Sequence, residues 1–314
     1  MAYGLATISK NSKNSFAGMI HISVLKEEAI NFLNPKENEN FIDATCGAAG
    51  HTLEILKKTG PDGKILCVDL DGRALAEAKE KLENEGFGQR AIFANDNFSH
   101  LKKIVEENNF DEISGIIADI GLSSDQLEQS GRGFSFLKDE PLDMRFSEQG
   151  DLTAWEIVNH WPEEEISNIL KEYGEERFAR KIAQSIVQKR KISRINTTRE
   201  LVETIGRAFP LALKHNRIHF ATKTFQALRI AVNRELENLK EFLFQAVQII
   251  EPGGRIAVIS FHSLEDRIVK NFFREKSKLG ELTVLAKKPV IPREEEIKLN
   301  PRSRSAKLRA ALKN

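Results

Sequence analysis

Four apolar runs in the first 120 residues each end in an aspartate: "NFID" at Asp43, "KILCVD" at Asp69, "AIFAND" at Asp96 and "ISGIIAD" at Asp119. A charge left unpaired at the mouth of a buried strand costs several kcal/mol, so each carboxylate either caps the next element or belongs to a site. The first run leads into "ATCGAAGH", where Gly47 and Gly50 permit close backbone approach and a following helix N-terminus offers free N–H groups. Asp69 follows these glycines at about the twenty-residue spacing at which an acidic side chain can accept hydrogen bonds from both ribose hydroxyls. The third run ends in Asp96-Asn97-Phe98, whose aromatic ring could lie against an adenine. Taken singly, these residues read equally well as turn glycines, a helix cap and a core aromatic. Taken together, they describe a nucleoside-cofactor site.

The loop chemistry narrows the cofactor. A dinucleotide fingerprint is G-x-G-x-x-G directly after the strand. Here the pattern is D-x-x-x-G-x-x-G, so the three-glycine pyrophosphate cradle is incomplete. A two-glycine loop behind an acidic strand end suits S-adenosylmethionine, whose amino-acid end carries an ammonium and a carboxylate. The carboxylate would take helix N–H groups, and Asp43 would help hold the ammonium, directly or through water. A nicotinamide-dependent oxidoreductase on a similar sheet stays open as a rival. His51, His215, His219 and His262 show no metal-ligand spacing, and no metal site is expected.

These groups need a scaffold that brings strand ends together. "NFIDATC" (40–46), "KILCVDL" (64–70), "AIFAND" (91–96) and "ISGIIAD" (113–119) read as buried strands separated by helical stretches. Asp71 is placed to cap the second helix and Ser99 the third. Such alternation predicts a parallel sheet covered by helices on both faces. From 152 to about 215 only helix signals occur, with Pro162 before Glu163, and Thr197 with Glu200 as a capping box. A continuous helical stretch follows from about 222 to 250, then the strand "RIAVISF" (255–261). Ser263 and Asp266 form a second capping-box pattern, and "LTVLAKK" (282–288) is an edge-strand candidate. The predicted fold class is α/β, a Rossmann-like sheet with an inserted all-helical domain. Residues 1–18 read as a flexible tail, 19–134 and 218–314 as one discontinuous α/β domain, and 135–217 as a helical insertion.

The composition suits a soluble globular chain: 314 residues, 40% hydrophobic, 30% charged, net charge +1. Cys46 and Cys67 form neither a disulfide framework nor a CxxC pair, which points to a reducing compartment and a cytoplasmic location. No run is long enough to span a membrane, and residues 1–18 lack the features of a signal or transit peptide. Near-neutrality hides asymmetry, because "QKRKISR" (188–194) and "NPRSRSAKLRAALK" (300–313) carry no acidic residue. Such blocks are nucleic-acid contacts or solvated faces. Arg132, Arg302 and Arg304 are candidate phosphate contacts, and Phe134 and Phe136 in "RGFSF" candidate base-stacking rings against a core-packing alternative.

The motifs "DATCGAAGH", "DIGLSSDQL", "PLDMRF", "EYGEERFARKIA", "FATKTFQALRIAVNRELE", "PGGRIAVISFHSLEDRIVKNFF" and "NPRSRSAKLRA" occur in this order. In them the chain resembles the bacterial small-subunit ribosomal RNA cytosine-N4 methyltransferase family (MraW/RsmH type), from residue 21 to residue 310. The resemblance implies methyl transfer from S-adenosylmethionine to N4 of one cytidine in the decoding region of 16S rRNA, within the small ribosomal subunit. It implies cofactor contacts at Ala49, Gly50, His51, Asp69, Phe98, Asp119 and Gln126. Two departures stand out: Ala49 where the family has Gly, and Asp125 where it has Pro. The Asp/Asn-Pro-Pro-aromatic motif of many amino-methyltransferases is replaced by Asp119-Ile120-Gly121-Leu122. Asp119 is therefore expected both to hold the cofactor and to face the acceptor amine. A non-catalytic RNA-binding assembly factor and a DNA or small-molecule methylase remain rivals. The oligomeric state is open, a homodimer included.

Overall fold

The computed structural model describes residues 23–121, 131–147, 150–209 and 219–314. The 1–18 tail, Asp125, Gln126 and His215 lie outside them.

The apolar runs assemble into one seven-stranded sheet. Its strands are β1 (Asn40–Asp43), β2 (Ile65–Asp69), β3 (Ala91–Asn95), β4 (Ile113–Ile120), β5 (Arg255–Ser260), β6 (Leu282–Val284) and β7 (Lys307–Lys313). They lie in the order β3-β2-β1-β4-β5-β7-β6. The first five are parallel. The chain order reverses between β1 and β4, the position where an open α/β sheet leaves a crevice beyond its strand ends. Register brings the acidic ends to that edge: Asp43 pairs with Cys67 and Ile117, Asp69 with Asn95, and Asp119 with Ile259.

Successive strand residues point to opposite faces, so each face has its own core. Ile42, Leu66, Ile116 and Val258 pack with helices Leu101–Glu107, Glu235–Ile249 and Ser263–Lys278. Phe41, Ile65, Ile117 and Ile259 pack with helices Lys26–Leu33, Gly50–Lys58 and Gly72–Asn84. Between β4 and β5 the described residues hold no strand. The helices Ala154–His160, Glu163–Glu172, Ala179–Ile192 and Thr198–Ala208 close on a third cluster, around Ile157, Ile166, Ile182 and Leu201. Phe225 and Leu228 of helix Thr222–Asn233 join it.

Several expectations are corrected. The tail of the second basic block is not a free surface segment. "KLRAALK" is β7, antiparallel between β5 and β6, so the sheet is mixed. Arg309 is buried there because its Nε bonds Asp266 Oδ1 at 2.6 Å. The edge strand β6 is shorter than read, three residues. The 222–250 helix breaks at Arg234, which takes a left-handed conformation (φ 50°) and caps both halves. The helix predicted to start at Ser263 and Asp266 is boxed one residue earlier, by His262 and Glu265. Asn97, not Ser99, accepts the N–H that opens the third helical segment. Thr197 accepts from the Glu200 N–H, but the Glu200 carboxylate turns to Asn196, so only half of that box forms. Asp71 caps as predicted.

Candidate active site

A cavity of about 170 Å³ opens at the carboxyl ends of β1, β2 and β4. Gly50, His51, Asp69, Phe98, Asp119 and Arg302 border it, so six of the residues singled out from sequence converge on one cleft.

The loop between β1 and the next helix forms its floor. Asp69 Oδ2 accepts the Gly47 N–H at 2.8 Å, and Oδ1 accepts that of Asp71 at 2.9 Å. One carboxylate thus ties the glycine loop to the end of β2 and keeps further lone pairs for a ligand. Burial raises its pKa above the ordinary value. At Gly50 a Cβ would stand 1.7 Å from Ser23 Oγ, so the glycine lets residues 23 and 24 fold down as one wall of the cleft. His51 is buried beneath them, its Nε2 donating to the Val24 carbonyl at 3.1 Å. Phe98, edge-on to Phe242 at 5.4 Å, supplies an apolar wall with Leu70 and Ala74.

Two residues at the ends of this loop, Ala49 and Asp43, do not border the cleft. Ala49 is fully buried in the core and is not among the residues bordering the cleft. It caps the helix in a left-handed conformation, φ 56°, a strain of roughly 1–2 kcal/mol for a residue with a Cβ. The alanine departure therefore bears on loop strain. Asp43 turns inward: its carboxylate accepts from Thr52 Oγ1 at 2.7 Å and from the Thr45 N–H at 3.3 Å. It does not border the cleft, and burial lifts its pKa to about 6.

Asp119 is different. Its N–H is held by Thr45 Oγ1 at 2.6 Å, which fixes the end of β4 against the loop after β1. Its Oδ1 is buried with no hydrogen-bond partner among the described residues. Burial, and then the negative charges of Asp43, Glu265 and Glu296, push its pKa up to about 8. An orphaned carboxylate oxygen facing a cleft is primed to accept a hydrogen bond or to meet a cation.

The far wall was not anticipated. Asn233, Glu235 and Asn238 reach the cleft from either side of the Arg234 break, together with Phe146 and Phe261. Asn233 fastens the 144–146 segment: its Oδ1 accepts the Phe146 N–H and its Nδ2 donates to the Met144 carbonyl, both at 2.8 Å. Glu235 is buried and clamped by Arg229 through two bonds of 2.7 and 2.8 Å. Glu235, His262 and Glu265 hold ligand-type atoms within 4.8 Å of one another. There the Arg229 guanidinium already supplies positive charge. His262 Nδ1 accepts the Glu265 N–H at 3.3 Å, and its Nε2 lies 3.1 Å from Glu265 Oε1 without a hydrogen bond between them.

The residues expected to touch RNA divide. Arg302 borders the cleft and Arg304 is exposed nearby. Phe134 is buried, stacked on Phe146 at 5.6 Å, so packing takes the ring expected to stack bases. Arg132 lies over the Phe134 ring at 5.6 Å and donates to the Phe146 carbonyl at 3.0 Å. Phe136 stacks on His219 at 4.6 Å. Gln126 lies outside the described residues. Both cysteines are buried and free, and no helix among the described residues is long and apolar enough to cross a membrane.

Residues 18–314 match the MraW methylase family. The chain belongs to that family. It is 47% identical over 291 residues to ribosomal RNA small subunit methyltransferase H of Sulfurihydrogenibium azorense, covering 93% of this chain and 98% of the relative. The proteins of the same name from Clostridium botulinum and Heliobacterium mobile are 44% and 46% identical, with the same coverage. A solved rRNA methylase from Streptococcus thermophilus is a more distant likeness, 12% identical with a TM-score of 0.43, covering 93% of this chain and 98% of that one. The cleft is built from the end of β2, the glycine loop, the end of β4 and the broken helix.

Proposed function

We propose that the protein methylates N4 of a specific cytidine in the decoding region of 16S rRNA, using S-adenosylmethionine, on the small ribosomal subunit in the cytoplasm. The observation that carries this reading is the buried, partnerless Oδ1 of Asp119 at the mouth of β4, opposite the nucleoside-type wall of Asp69 and Phe98. Family membership supports the reaction class, and the names of the relatives support the ribosomal substrate.

The residues present fit the cofactor. Asp69 has lone pairs left for ribose hydroxyls, and Phe98, Leu70 and Ala74 offer an apolar slot for a base. Ala48 and the N-terminus of helix Gly50–Lys58 offer backbone N–H groups to a carboxylate. When bound, S-adenosylmethionine supplies a methyl group on a cationic sulfonium, electrophilic without further activation. The protein's task is then alignment and exclusion of water, which can contribute up to about 7–11 kcal/mol. The cytosine amine is a poor nucleophile because its lone pair is delocalised into the ring. Asp119 accepts a hydrogen bond from one N4 hydrogen, which favours a pyramidal nitrogen. With a pKa of about 8 the same carboxylate can take the proton that the methylated amine must lose. The 135–217 helices and Arg302 bear on the RNA. Mass mapping of 16S rRNA from cells with and without the protein tests the reading. One methyl group on one decoding-region cytidine must disappear with the gene, and an unchanged map contradicts the proposal.

A further inference from the structure

A second cavity, of about 320 Å³, lies beside the methylase cleft, and Phe261 borders both. Its ring rests on the bare backbone of Gly121, where a Cβ would stand 2.8 Å from Cδ2. The 3-10 turn Pro301–Ser305 also serves both spaces: Arg302 borders the cleft and Arg304 the second cavity. This turn is braced, since Ser303 is buried and its Oγ donates to the Asn300 carbonyl at 2.8 Å.

The second cavity has two kinds of wall. Phe261, Ile291 and Pro292 are apolar, and Ile291 is 63% exposed. Arg304 and Lys307 are cationic. Lys307 Nζ is matched by Asp266 Oδ2 at 3.4 Å, whereas Arg304 makes no hydrogen bond or ion pair among the described residues. An unmatched guanidinium beside an aromatic and aliphatic wall is the chemistry of a nucleotide subsite, with phosphate on the arginine and base on the apolar face.

We propose that this cavity seats the nucleotide next to the target cytidine in the RNA strand, its phosphate on Arg304 and its base against Phe261, Ile291 and Pro292. The inference rests on the reading of the chain as an RNA methylase. A strand crossing Phe261 leaves one nucleotide in each space, and the braced 301–305 turn grips its backbone on both sides. Recognition then includes a neighbour as well as the methylated base.

The test is steady-state methyl transfer from labelled S-adenosylmethionine to small ribosomal subunits. Arg304→Ala should raise KM for subunits about tenfold, the loss of one charge-assisted contact. It should leave kcat, cofactor affinity and Tm unchanged. The salt slope of RNA binding should fall by about 0.7, one phosphate contact fewer on a single strand. Ile291→Asp should raise KM in the same way, and Arg304→Lys should recover part of the loss. Unchanged KM and salt slope in Arg304→Ala overturn the inference, as does an equal loss of cofactor affinity. An inactive parent protein overturns the methylase reading and the inference with it. An active parent with an indistinguishable Arg304→Ala overturns the inference alone.

Discussion

Asp119 is the residue on which the proposed chemistry of the cleft turns. Its folded pKa of about 8 lies above the ordinary value of 3.8, so the folded protein binds more protons than the unfolded chain between these limits. By linkage, the contribution of this one carboxyl to stability is fully present below pH 4, falls as pH rises toward 8, and is lost beyond it. Asp119→Asn removes that slope. Urea titrations should find the variant more stable than the parent at pH 8.5 and equal to it near pH 4. A bound sulfonium favours the carboxylate form, so cofactor binding should release close to one proton at pH 7 and tighten from pH 6 to 8. Calorimetry in two buffers of different ionisation enthalpy reads the proton count, and Asp119→Asn should bring it near zero. Arg229 is the second decisive residue. Arg229→Met strands the buried Glu235 carboxylate and should cost about 3–5 kcal/mol in chemical denaturation, part of which Glu235→Gln in the same chain recovers.

At the level of elements, β1 to β4 were legible because each is a short apolar run closed by Asp and followed by turn residues. β7 was not, because lysine and arginine interrupt it. Its burial depends on Asp266 meeting Arg309 and Lys307 from another element, a pairing no local pattern displays. The break at Arg234 was hidden for a related reason: the left-handed residue is an arginine, without glycine or proline to mark it. Asn233, Glu235 and Asn238, which the break presents to the cleft, were therefore missed. The His262 cap escaped notice because histidine is not a usual capping residue. The glycine loop makes an element-scale prediction. Gly50→Ala places a methyl where Ser23 Oγ lies, which should lift residues 23 and 24 and weaken cofactor binding about tenfold. Ser23→Gly in the same chain should restore affinity in a titration.

At the scale of the molecule, one sheet edge gathers Asp69, Asp119 and the glycine loop. The N-terminal wall at Ser23, the broken helix and the 301–305 turn complete the enclosure. The N- and C-terminal walls are linked, since the Leu25 N–H donates to Glu296 at 2.8 Å. The third hydrophobic cluster runs from Phe134 through the inserted helices to Phe225 and Leu228, and Asn233 ties the segment carrying Phe146 to the cleft. Through these contacts the insertion packs against one wall of the cleft. The central claim is that Asp119 acts on the acceptor amine as well as holding the cofactor. Its most direct test is the rate of methyl transfer to small ribosomal subunits by Asp119→Asn at saturating S-adenosylmethionine. The account predicts a fall in kcat of about a hundredfold or more. A kcat near that of the parent, with only the cofactor KM raised, would contradict it.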